Sequence, residues 1–69
     1  MSKTVTQRVA ERIVALRQKR GMTQGRLSAQ AGVHRVSLAN IERGAKQPTL
    51  ETLDRIARAL RVTLADLVK

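Results

Sequence analysis

Successive side chains on a helix are turned by about 100°, so the run RVSLANIER at residues 35–43 sorts into two faces. Leu38 and Ile41 share one face. Val36, Ala39, Asn40 and Arg43 share the other, with Arg35 at its edge in the first turn. A helix with only a structural task in a soluble protein rarely turns Val36 and Ala39 outward without a partner. Small apolar groups of this kind fit against thymine methyls, a guanidinium pairs bidentately with guanine, and a carboxamide reaches adenine or a phosphate. Arg35, Val36, Ala39 and Asn40 are therefore expected to meet base edges. The plainer alternatives are that Arg35 touches phosphate alone and that Val36 packs on a neighbouring loop.

Other chemistry has little to work with. His34 is the single histidine and cysteine is absent. Without a second imidazole, a thiol or a carboxylate at ligand spacing, neither a metal site nor a general base is expected. Ser2, Ser28 and Ser37 have no neighbouring base to activate a hydroxyl. The expectation is a non-enzyme with no cofactor, no metal and no small-molecule substrate.

The charge balance points to a polyanion. Fourteen Lys+Arg against five Asp+Glu give a net charge of +9. Residues 1–46 hold ten basic and two acidic side chains, a net +8, whereas residues 47–69 hold four and three, a net +1. Charge needed only for solubility would not be so concentrated; a side facing a polyanion accounts for it. Phe, Trp and Tyr are all missing, which argues against binding single-stranded nucleic acid by stacking its bases on aromatic platforms. No apolar run approaches the roughly 18 residues of a membrane span. The first residues, MSKTVTQRVAER, lack the apolar segment of a signal peptide. A cytoplasmic, nucleoid-associated protein is expected.

Five helices and no strand are expected to position these residues, in one domain spanning 1–69. Val5, Val9, Ile13 and Leu16 form one apolar stripe on a helix over 4–20, which Gly21 stops. Arg8, Arg12 and Lys19 flank that stripe on one side and Arg17 on the other. Thr23 caps a second helix over 24–31, burying Leu27 and Ala31, with Gly25 costing it about 0.5–1 kcal/mol relative to alanine. Gly32 is placed for a turn with positive φ, and a third helix covers 34–43. The segment GAKQP is a loop, Thr49 caps a fourth helix over 50–60, and Leu50, Leu53, Ile56, Ala57 and Leu60 form its stripe. Thr63 and Asp66 are spaced like a capping box opening a last short helix.

Two helices that cross closely at a small residue (Ser28), a glycine turn (Gly32), and a second helix pinned by Val33, Leu38 and Ile41 are the requirements of a helix-turn-helix. The stretch MTQGRLSAQAGVHRVSLANIERG at 22–44, followed by QPTLETLDRIARALRV, resembles the phage repressor and Cro type of helix-turn-helix domain, the XRE-like family. The resemblance covers roughly residues 8–68 and implies a compact five-helix, all-α lambda-repressor-like bundle, with the motif at about 23–43. It implies a phosphate contact at Gln24. It also implies an ion pair between Arg17 and Glu42 that ties the recognition helix to the scaffold. Arg43, Lys46 and Thr49 stand at the far edge of the groove-facing side as expected phosphate anchors, with His34 at the near edge. Three positions depart from the family pattern. Ser28 replaces alanine, Gly25-Arg26 replaces an acidic pair, and His34 replaces Ser or Thr at the helix start, where imidazole is a poor cap.

The implied function is a sequence-specific transcriptional regulator of double-stranded DNA, a repressor acting as a homodimer on a palindromic operator. Leu64, Leu67 and Val68 are expected at the dimer interface, being too many apolar residues for so short a helix to hide alone. Antitoxins and restriction-modification controller proteins share this format. A protein-interaction module without specific DNA binding is the competing class, which the +8 half would oblige to seek an acidic partner.

Overall fold

The computed structural model describes residues 3–69; Met1 and Ser2 lie outside the described residues. Five helices follow one another: α1 Val5–Lys19, α2 Gln24–Ala31, α3 Arg35–Glu42, α4 Leu50–Leu60 and α5 Leu64–Val68, with no strand among the described residues. α2 packs against α3 and α4, while α1 and α4 enclose α5. No helix among the described residues is long and apolar enough to cross a membrane.

Threonines set the starts of four helices. Their hydroxyls accept amides of the first turn that otherwise lack partners: Thr4 from Gln7, Thr23 from Arg26, Thr49 from Thr52 and Thr63 from Asp66. Thr4 forms a full capping box, with Gln7 Oε1 accepting from the Thr4 amide at 2.9 Å. Thr63 and Asp66 form the second box. At the other ends, Gly21 takes φ 66° and Gly32 φ 68°, so both exits are left-handed. Arg61, at the C-cap of α4, also has φ 60° and is the one non-glycine residue to do so among those described. For an L side chain that conformation costs about 1 kcal/mol.

The core is aliphatic. Ile13, Leu27, Leu38, Ile41, Ile56, Leu60 and Leu67 are the large side chains fully out of water, each stabilising the fold by about 1.5–3 kcal/mol. Three expectations need correction. Leu67 is only 1 % exposed, so it cannot serve a dimer surface. It shares the inward face of α5 with Leu64, which is half-buried against the same cluster. The short helix is held in place by its capping box and by Arg12 Nε donating to the Asp66 carbonyl at 2.7 Å, and that contact turns Leu67 inward. Val5 and Leu50 depart in the opposite sense, at 58 % and 71 % exposed. Each begins its helix, beyond the point where a neighbour overlaps the stripe. With Val68 and Pro48 they line a shallow apolar depression between the starts of α1 and α4 and the end of α5.

The Asp66 carboxylate accepts from the Thr63 amide and hydroxyl and faces Lys69, which together hold its pKa below the usual carboxylate value. A depressed folded-state pKa stabilises the fold above the unfolded value and ceases to do so as pH falls through the folded one. In urea melts, the stability gap between wild type and Asp66→Asn is therefore expected at pH 7 and pH 5. It should close below about pH 4; a gap that stays constant into acid would contradict this role.

Candidate nucleic-acid interface

The turn between α2 and α3 is closed by backbone bonds. The Val33 amide donates to Ser28 O at 3.0 Å across Gly32, the pattern that a left-handed residue at a helix exit permits. Ser28 is buried, and its hydroxyl donates to Gly25 O at 2.8 Å, so the small residue enters the interior without an unmet polar group. α3 then starts without a side-chain cap, since His34 makes no such bond. Its exposed imidazole is left available at the front of the helix.

α3 is anchored by Leu38 and Ile41, at 0 % and 2 % exposed, and turns Val36 outward at 74 %. Arg35 is exposed, and its guanidinium lies over the first turn of α2, where a Cβ at Gly25 would sit 3.9 Å from Arg35 Cζ. A methyl group at Gly25 would thus meet the guanidinium in ordinary van der Waals contact. Ala39 and Asn40 are half-buried on the same side as Val36. Arg43 donates to Asn40 Oδ1, which leaves the Asn40 amide hydrogens as its outward donors. Lys46 Nζ approaches Ser37 Oγ at 3.4 Å, bringing the loop after α3 to the same face. Thr49 is exposed, but its hydroxyl proton goes to Thr52 Oγ1 at 3.0 Å, so the side chain serves the start of α4.

Behind this face lies one charged network. Arg17 Nε donates to Glu42 Oε2 at 2.7 Å and Arg17 Nη2 to Glu42 Oε1 at 3.0 Å, a bidentate pair whose side chains are 14 % and 4 % exposed. Arg17 Nη1 also donates to Met22 O at 2.8 Å, and Gln24 Nε2 to Glu42 Oε1 at 2.9 Å. One carboxylate at the end of α3 therefore fastens α1, the loop after it and the start of α2. The part of Gln24 in this network is not foreshadowed by spacing, because its sequence position marks only a helix start.

The profile of the helix-turn-helix family matches residues 13–67. The chain belongs to that family. Among relatives of this helix-turn-helix chain, the immunity repressor protein of Bacillus phage phi105 is 40 % identical over 60 residues, spanning 87 % of this chain and 42 % of the repressor. The chain thus covers less than half the length of that relative. The uncharacterized HTH-type transcriptional regulator y4dJ of Sinorhizobium fredii is 37 % identical over 60 residues, spanning 87 % of this chain and 78 % of its own. In three dimensions, the restriction-modification controller protein C.AhdI from Aeromonas hydrophila superposes with a TM-score of 0.88 at 26 % identity, over 90 % of this chain and 94 % of that one.

Removing one member of this partly buried, hydrogen-bonded pair leaves the other charge without its partner where water reaches it poorly. Glu42→Ala is therefore expected to destabilise the fold by about 3–5 kcal/mol, measured by thermal or urea melting. An unchanged midpoint would remove the network from its anchoring role.

Proposed function

We propose that this helix-turn-helix transcriptional regulator reads a specific double-stranded DNA sequence with α3 in the major groove and represses transcription as a homodimer on a palindromic operator. The observation that carries this reading is Val36, a large apolar side chain left almost bare on a helix flanked by Arg35, Arg43, Lys46 and His34. A solvent-facing surface gains nothing from that combination. The edge of a base pair, with a thymine methyl beside hydrogen-bonding atoms and phosphates on either side, matches it.

In this reading Arg35 pairs with a guanine, Val36 and Ala39 contact methyl groups, and Asn40 donates to a base or phosphate. Gln24, His34, Arg43 and Lys46 hold phosphates, aided at Gln24 by the free amides at the start of α2. At Thr49 the backbone amide replaces the hydroxyl as the donor. The same groups would serve a restriction-modification controller, a reading supported by the likeness to C.AhdI. Selecting bound sequences from a random duplex pool and locating them in the source genome separates the two.

Titration of labelled duplex at several salt concentrations is expected to give a steep loss of affinity with salt, and a complex that survives random-sequence competitor. Arg35→Ala should cost about 1–3 kcal/mol and relax the preference at one base pair. Equal loss on every sequence would reduce Arg35 to a phosphate contact.

The second copy is proposed to dock on the depression formed by Val5, Leu50 and Val68, setting the two α3 helices about 34 Å apart, one turn of DNA. Leu50 is the first residue of α4, where an acidic side chain suits the helix dipole. Leu50→Asp should thus leave the helical circular dichroism of the fold unchanged while turning dimer into monomer in analytical ultracentrifugation. A variant that sediments like wild type would place the interface elsewhere.

A further inference from the structure

A second basic site lies away from α3. Arg20 at the end of α1, Arg26 in the first turn of α2 and Arg61 at the end of α4 surround one open concavity, with Gln30 beside them and no carboxylate in its wall. All three arginines are exposed. The single bond among them runs from Arg20 Nη2 to the Arg61 carbonyl at 3.4 Å, which draws two like charges together.

No acidic side chain lines this concavity to relieve that repulsion. All five pair with other cations: Glu11 with Lys3, Glu42 with Arg17, Glu51 with Arg55, Asp54 with Arg58 and Asp66 with Lys69. Arg61 adds an independent observation. It occupies a left-handed backbone position that glycine would take without strain. Strain of this sort persists where the side chain does something that the fold alone does not require.

We infer that Arg20, Arg26 and Arg61 form a phosphate clamp for the same duplex, outside the segment that α3 covers. The inference rests on the proposed DNA-binding function. Its occupant follows from continuity and charge. In the proposed reading the start of α2 faces the DNA; Arg26 belongs to that same first turn and lies on its other flank, away from the Gln24–Glu42 contact. Three guanidinium groups in an open, uncapped concavity suit successive phosphates of a strand running past that flank.

Duplexes of two lengths test this by fluorescence anisotropy: a short one limited to the selected binding sequence, and one extended to about 40 base pairs. Arg61→Gly is expected to raise the melting temperature, through relief of the backbone, and yet to weaken binding to the long duplex. Arg20→Gln combined with Arg61→Gly should weaken long-duplex binding about tenfold and lower the salt slope by about two, with short-duplex binding unchanged. Wild-type affinity and slope on the long duplex in that double variant would overturn the clamp while leaving the DNA-binding reading intact. Equal losses on both lengths would place the arginines inside the half-site and overturn it as well. A melting temperature that does not rise in Arg61→Gly would show that the arginine serves the fold and remove the argument from strain. Should wild type bind neither duplex, the proposed function fails and the clamp with it.

Discussion

A carboxylate that is 4 % exposed holds this fold in the form in which α3 has a free outer face. Glu42 closes α3, and the groups that meet it come from α1 and the start of α2. α3 spans only eight residues and lacks a side-chain cap, so propensity alone would leave it unstable. Leu38 and Ile41 hold it down, but apolar contacts are not directional and tolerate sliding or rotation. The bidentate Arg17 contact fixes what they leave loose, because a planar fork satisfies both carboxylate oxygens in one orientation only. The rotation of α3, and with it the direction in which Val36 points, depends on that pair.

The price of this arrangement is that polar groups must enter a very small interior. Ser28 is admitted because its hydroxyl finds Gly25 O, and Glu42 because its oxygens receive donors from both Arg17 and Gln24. No buried side-chain nitrogen or oxygen among the described residues is left without a partner. Such completeness matters more here than in a larger protein. With seven large side chains fully buried, one stranded polar group at about 1–3 kcal/mol would remove a sizeable part of a net stability of a few kcal/mol.

Periodicity made the helices legible because each buries one stripe, and the threonine and glycine punctuation located their ends to within a residue or two. The faces of α3 could be read for the same reason: Leu38 and Ile41 are three apart and Val36 is the odd residue out. What failed was the treatment of helix ends. A stripe extends in sequence beyond the point where a neighbour covers it, so Val5 and Leu50 continue the pattern and yet lie in water. Leu67 failed for the converse reason, since a five-residue helix has too little periodicity to show which side is in. Contacts between residues distant in sequence, such as Gln24 with Glu42 and Arg12 with the Asp66 carbonyl, carry no local signal at all.

The distribution of charge links stability to function. Fourteen cations meet five anions, and every anion is already matched, so a net +9 is carried without internal relief. Mutual repulsion of that size works against compactness and weakens with salt. A ligand that binds only the folded state stabilises it by mass action, and a polyanion also cancels the repulsion. The fold with its arginines exposed is thus the less stable of two conditions, and under the proposed function the same side chains that strain it alone would become its contacts on a phosphate backbone. Under the proposed function, salt would act in opposite senses on the two, screening repulsion in the free chain while loosening its hold on DNA.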